Sequence, residues 1–320
     1  PTLLLGLLVG LVSCQPPVPA AESTPAPDNQ TEAMPAASAF QASSSLSDYW
    51  YQGKAELNFY DLEQNRYQSV HSGQAILIFV TEDFLTDKQV KNDQYQNSNS
   101  TLVLKTNAIR RFTTGLYDYS VMTSVFTPVK NEAFPFTLKV TNTSQDWCGQ
   151  TYSQVNWQGH GYREILHSYF ENEADQEVQT DPAILEDELY NRIRLGWESL
   201  PTGEQAVIPS LMHLRLAHRP FAVETARLSL DDYTGDTFVG EQLKVYRIDY
   251  AYIQRQVAIV FEAEPPYRIV GWTETFPSAF DGELRTTVAR LRQSLLEPYW
   301  KMNDPSYQPR RDSLGLYKFH

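Results

Sequence analysis

Apolar and polar positions alternate with a period of two through much of the chain, the mark of strands with one buried face. Residues 55–60 (Ala-Glu-Leu-Asn-Phe-Tyr) show it first, and the continuous apolar run at 75–80 (Ala-Ile-Leu-Ile-Phe-Val) predicts a more deeply buried strand. Residues 88–100 are polar, rich in Asn and Gln and without periodicity, and predict a loop. Further strands are predicted at 101–106, 109–113, 120–126, 136–141, 150–157, 162–170, 206–216 and 221–230. The clearest meander covers 242–252, 256–263 and 267–276, with Lys244, Tyr246, Ile248, Tyr250 and Tyr252 on alternate positions. Two stretches read as helix. Asp181-Pro182-Ala183 supplies a cap and a first-turn proline, Glu186, Asp187 and Glu188 suit the positive helix end, and Gly196 closes the pattern. Leu284, Val288, Leu291 and Leu295 share one helical face within 282–299. Many strands with two helices, rather than strand and helix in alternation, predict an α+β fold with a strongly curved, mainly antiparallel sheet or partly open barrel.

The N-terminal pattern differs. An apolar run from Leu3 to Val12 is shorter than the roughly 20 residues that span a bilayer and matches the core of a signal peptide. Neither an initiator Met nor a charged segment precedes it, so the sequence reads as starting within the signal. The run ends in Leu11-Val12-Ser13-Cys14, and residues 15–45 are rich in Pro, Ala and Ser. Such a segment has too little apolar surface to offset its ordering entropy and is expected to be a disordered tether. The expected organisation is a signal at 1–13, an anchor and linker at 14–45, and one β-rich domain, or two lobes, at 46–320.

Composition narrows the function classes. The 320 residues carry a formal net charge of −13, which argues against a nucleic-acid partner and against a polybasic grip on anionic lipid. Charged residues make up 20% and aromatics 12%, enough apolar material for a folded body. There are two cysteines, Cys14 and Cys148. If the first is acylated, no intramolecular disulfide and no Cys/His metal motif remain. No cofactor is implied: the chain has no Gly-rich phosphate loop.

Candidate chemistry is sparse. Cys148 follows a predicted strand and could act as a nucleophile with His160 or His167 as base, although no helix N-terminus lies beside it to favour the thiolate. A buried structural cysteine is the favoured reading. His213 and His218, placed on one strand, would face opposite sides and share no metal. Asp231, Asp232 and Asp236 lack the ligand order of an EF-hand, and Glu82, Asp83 and Asp87 have no evident partner carboxylate. The aromatic residues are more suggestive. Trp147, Tyr250, Tyr252 and Trp272 are the candidate ligand-binding rings, on a concave surface for lipid or sugar, with core packing as the competing reading. Asp312-Ser313-Leu314 resembles the Asp-Ser/Thr-aliphatic O-glycosylation motif of one group of diderm bacteria, which implies Ser313 as a candidate acceptor. The oligomeric state is open.

Leu11-Val12-Ser13-Cys14 resembles the lipobox of bacterial lipoproteins, which implies diacylglycerol on the Cys14 thiol, cleavage before it and attachment to a membrane through that lipid. Gln15, in place of Asp, implies the outer membrane facing the periplasm. Residues 49–56, 75–84 and 145–151 resemble an uncharacterised lipoprotein family of diderm bacteria across nearly all of the body. Some members of that family are labelled septum formation inhibitor Maf. True Maf proteins are nucleotide pyrophosphatases with an N-terminal Ser-x-Arg-Arg motif, which this chain lacks. The closing meander is similar to the curved sheets of LolA and LolB, a likeness of fold only. The resemblance implies no catalytic residue. The expected function is a non-enzymatic periplasmic lipoprotein that binds a lipid-like ligand or an envelope partner, with an envelope hydrolase or a glycan-binding protein as alternatives.

Overall fold

The computed structural model describes residues 48–130 and 133–316. Cys14 and the 15–45 segment lie outside the described residues. After a 3-10 turn at Asp48–Tyr51, eight strands follow in a meander: β1 (Ala55–Arg66), β2 (Ser69–Leu85), β3 (Ser100–Thr114), β4 (Tyr117–Pro128), β5 (Lys139–Gln145), β6 (Gln150–Trp157), β7 (Tyr162–Ser168) and β8 (Gln176–Thr180). The chain then forms the two-residue β9 (Ile184–Leu185), a 3-10 turn, and helix α1 (Leu189–Gly196). Next come β10 (Gly203–Ile208), α2 (Leu211–Leu216), β11 (Glu224–Asp232), β12 (Leu243–Tyr250), β13 (Arg255–Glu262), β14 (Ile269–Pro277), β15 (Leu284–Glu297) and a terminal α3 (Gln308–Ser313).

All fifteen strands belong to one sheet, in the order β8-β7-β6-β5-β4-β3-β2-β1-β15-β14-β13-β12-β11-β10-β9. Every neighbouring pair is antiparallel except β9 with β10. The first and last strands meet at the centre, from Ala55 opposite Glu297 to Glu63 opposite Val288. The edges are the short strands β8 and β9, which leave little unpaired backbone. Among the described residues no helix is long and apolar enough to cross a membrane.

The sheet must curl. Strands β4 and β10 stand nine places apart, about 43 Å in a flat sheet at roughly 4.8 Å per strand. Yet Val125 of β4 shares one core cluster with Ala206 and Ile208 of β10, together with Leu211 and Leu214 of α2. A larger cluster joins Leu77, Phe79 and Leu104 to Ile248, Ile259 and Trp272 around Leu189 and Ile193 of α1. The two helices fill the curve, and the α+β expectation with a curved sheet is met.

Helix α1 is buried nearly all round although it reads Leu-Tyr-Asn-Arg-Ile-Arg-Leu-Gly, so its polar groups need internal partners. Asn191 Nδ2 donates to Leu104 O (3.0 Å) and Thr127 Oγ1 (2.9 Å). Arg194 grips Glu56 with both terminal nitrogens, Nη2 to Oε2 at 2.6 Å, and both side chains are fully buried. Arg192 lies 2.7 Å from Glu188. Glu186 takes Arg255 Nη2 at 2.7 Å and the Tyr250 hydroxyl at 2.7 Å. Arg110 pairs with Glu274. The space left beside Arg110, Glu186 and Glu274 is about 20 Å³, room for about one water.

Two expected elements differ. Residues 282–299, expected as helix, contain strand β15. The run Thr286-Thr287-Val288 favours an extended backbone, and both β1 and β14 offer it a ladder. One extra residue, Arg292, sits between the partners of Phe59 and Tyr60 and reverses the faces of the residues on its C-terminal side, so the apolar spacing imitates a helical one. Residues 206–216, expected as one strand, divide into β10 and α2. Pro209 cannot donate to the ladder, and Asp187 receives both the Ser210 hydroxyl (2.6 Å) and Leu211 N (2.9 Å), capping α2 from outside. The helix expected from Asp181 starts later, after β9, and ends at Gly196, whose φ of 147° only glycine adopts readily.

Candidate functional site

Strands β5, β6 and β7 alternate buried and exposed positions in register. Val140, Val155 and Glu164 form a buried row, while Thr143, Tyr152 and His167 form a row on the outer face. At the turn between β5 and β6, Asp146 Oδ1 accepts from Cys148 N (2.6 Å) and Gly149 N (3.3 Å), and Asp146 N donates to Gly149 O (3.1 Å). This closed turn lifts Trp147 into solvent at 69% exposure. The Tyr169 ring lies against Gly149, where a Cβ would come within 2.5 Å of ring carbon Cδ1. Tyr169 therefore depends on the absence of a side chain there.

These groups surround an open groove of about 780 Å³, within the range of small-molecule sites, roughly 300–1,000 Å³. Trp147, Tyr169 and Tyr152 line it, and all three rings are exposed. Thr143, Gln145, Gln150, Ser168 and Asp175 supply hydroxyl, amide and carboxylate groups. Tyr152 donates to Gln154 Oε1 at 2.7 Å, which orients its ring, and Trp147 leans toward Tyr117 with ring centres 6.5 Å apart.

Cys148 and His167 line the same groove, and His167 Nδ1 stands 3.3 Å from Asp175 Oδ2. That brings together the thiol and one of the two bases expected for it; His160 is not among the lining residues. The backbone donors of Cys148 and Gly149 are both occupied by Asp146, so neither is available to an oxyanion at the thiol.

The four rings singled out from sequence do not share a surface. Trp147 is in the groove, and Tyr252 is 89% exposed in the turn between β12 and β13. Tyr250 and Trp272 are buried, one bonded to Glu186, the other packed between Tyr60 (4.9 Å) and Tyr190 (5.6 Å). Ser313 is exposed on α3 and donates to Arg310 O at 2.8 Å.

The remaining candidates fall apart as sites. His213 lies on α2, not on a strand, and His218 Nδ1 meets Glu173 at 2.8 Å. Asp231 and Asp232 pair with Arg247 (3.1 Å) and Lys244 (2.6 Å). Glu82 pairs with Lys105 at 3.3 Å, while Asp83 accepts from Asn92 at 2.6 Å. Among the described residues no three His, Cys, Asp or Glu side chains converge as a metal site. Sequence reasoning passes over Tyr152 and Tyr169. The signal for Tyr152 is its place on the polar face of β6; Tyr169 lies one residue beyond β7 but within the expected strand 162–170, on the same alternate positions as the exposed His167. Comparison with protein-family models, with curated proteins and with solved structures finds no match to this chain.

Proposed function

We propose that this chain is a lipid-anchored protein of the cell envelope, tethered through Cys14 at the periplasmic face of the outer membrane, whose sheet domain binds an oligosaccharide in the β5–β7 groove. One observation carries the sugar reading: three exposed rings, Trp147, Tyr152 and Tyr169, on one groove with hydroxyl and amide groups between them. Faces of sugar rings are apolar and stack on aromatic side chains, while their hydroxyls exchange hydrogen bonds with amides and carboxylates. Asp146 and Asp175 favour a neutral or cationic glycan over a polyanionic one. The curve of the sheet carries the chain's own helices, and the space beside Arg110, Glu186 and Glu274 is about 20 Å³, too small for an acyl chain at that place.

The test is a glycan array probed with the full chain and with a Trp147→Ala/Tyr169→Ala variant. Binding to neutral oligosaccharides that the variant loses is the expected result; an array without hits removes the proposal. A thiol hydrolase is the second reading, favoured by Cys148, His167 and Asp175 on one groove. It requires rapid alkylation of Cys148 in the folded protein, slowed in a His167→Ala variant; an inert thiol eliminates it.

A further inference from the structure

Strand β6 carries a row of polar side chains that runs on past the groove. Tyr152, Gln154 and Asn156 hold alternate positions on its outer face, Tyr152 exposed and the two amides half-buried. Alternate residues of a strand stand about 6.7 Å apart, near enough for long polar side chains to bond along the row. The Tyr152 hydroxyl donates to Gln154 Oε1 (2.7 Å), and Gln154 Nε2 donates to Asn156 Oδ1 (2.7 Å). Asn156 Nδ2 then donates to Gln89 Oε1 (2.6 Å), and Gln89 Nε2 donates to Trp157 O (2.8 Å).

The last link sets the direction of the others. A backbone carbonyl only accepts, so Gln89 must turn its Nε2 to Trp157 and its Oε1 to Asn156. Asn156 must then accept from Gln154, and Gln154 from Tyr152. The row is therefore a lane of amides in one orientation, fixed before any ligand arrives, which leaves little side-chain freedom to lose on binding. An amide offers two N–H donors and two carbonyl lone pairs. Among the described residues Gln154 and Asn156 each spend one of each within the lane and keep one of each. The lane is continuous with the groove, because Tyr152 lines the groove and opens the lane. From Gln150 in the groove to Asn156 the strand advances about 20 Å. Gln150, Tyr152, Gln154 and Asn156, the outer positions of β6, are all uncharged in a chain of net charge −13. Beside Gln154 stand Thr141 of β5 and Ile165 of β7, a hydroxyl on one side and an apolar side chain on the other.

We infer that groove and lane together take a linear, uncharged glycan bearing acetamido groups. Its first sugars stack on Trp147 and Tyr169, and the sugars after them lie along β6 on Gln154 and Asn156. An acetamido group brings one N–H and one carbonyl, the complement of what each lane amide has left. The inference rests on the sugar reading of the groove and adds to it the class of the glycan and a length greater than the groove holds.

The test titrates the dimer, tetramer and hexamer of β-linked N-acetylglucosamine calorimetrically into the full chain and into Gln154→Ala and Gln154→Glu variants. For wild type the hexamer is expected to bind about tenfold or more tighter than the dimer, the yield of one or two further hydrogen bonds. Both variants should bind the dimer as wild type does and lose the gain with length, at nearly unchanged Tm, because the Gln154 side chain is half-exposed. Gln154→Glu keeps the acceptor for Tyr152 but has no N–H for Asn156 or for a sugar, so it separates donation from packing. Equal binding of dimer and hexamer overturns the inference and leaves the groove reading standing, as does a gain with length that survives in both variants. A variant that loses dimer and hexamer alike places Gln154 in the groove itself and overturns the lane. No heat from any oligomer overturns the inference too, and the array then decides the groove reading alone.

Discussion

Replacing Arg194 by Met tests the ion pair that holds α1 inside the sheet. The Met side chain keeps most of the apolar stem that packs beside Trp50 and Phe79, over whose rings the guanidinium sits at 5.0 and 4.8 Å. It removes the two charged hydrogen bonds to Glu56 and leaves that carboxylate, fully buried, with Asn58 and Tyr49 alone. Removing one partner of a buried pair costs about 3–5 kcal/mol. At roughly 2–4 °C per kcal/mol for a domain of this size, Tm should fall by roughly 6–20 °C. The pH dependence gives a second readout. Burial pushes the Glu56 carboxyl up, but the Arg194 charge and the hydrogen bonds from Arg194, Tyr49 and Asn58 outweigh it, and the net shift is downward. A depressed carboxylate contributes stability that is present above its unfolded value and lost as pH falls through the folded one. Without Arg194, burial prevails and the sign reverses, so the variant should lose least, relative to wild type, in acid. Urea denaturation of both proteins at pH 7 and pH 4 measures this. A deficit under about 1 kcal/mol, or one that does not shrink in acid, would rule out this role for the pair.

Asp187 is pushed up to about 6 by burial, against hydrogen bonds from Ser210 and Leu211 N. Its proton is held more tightly in the folded state, so its stabilising share is full below about 4 and lost as pH rises through 6; Asp187→Asn should gain about 2 kcal/mol relative to wild type between pH 4 and pH 7 in denaturant titrations. At Gly271 a Cβ would lie 2.2 Å from the Phe238 ring and 2.4 Å from Ala289 O, so Gly271→Ala should cost about 1–3 kcal/mol by the same assay. Gly149→Ala, which drives Tyr169 off its shelf, should weaken oligosaccharide binding severalfold in calorimetry while leaving Tm nearly unchanged, because the turn is at the surface.

Much of the sheet was legible because its strands bury one face. The meander from β12 to β14 and the alternation in β4 to β7 follow directly from period two. The failures have physical causes. In β15 a bulge at Arg292 broke the period and produced a false helical face. In α2 the cap is Asp187, supplied from a distant position that no local pattern reveals. The buried ions were invisible for a related reason. Glu56 and Arg194 stand 138 positions apart, and each reads locally as a surface residue. Of the ring candidates, Trp147 lies in a β-turn and is exposed, whereas Tyr250 and Trp272 were consumed by the core. Ring identity does not distinguish the two fates; the polar neighbours in register do.

Sugar binding by the exposed rings of the β5–β7 groove stands or falls on one titration. The tightest oligosaccharide from the array is titrated calorimetrically into the full chain, beside the Trp147→Ala/Tyr169→Ala variant. Saturable binding to wild type, weakened about tenfold or more in a variant of unchanged Tm, is expected. Equal binding to both proteins, or heat from neither, would exclude a sugar site at these rings.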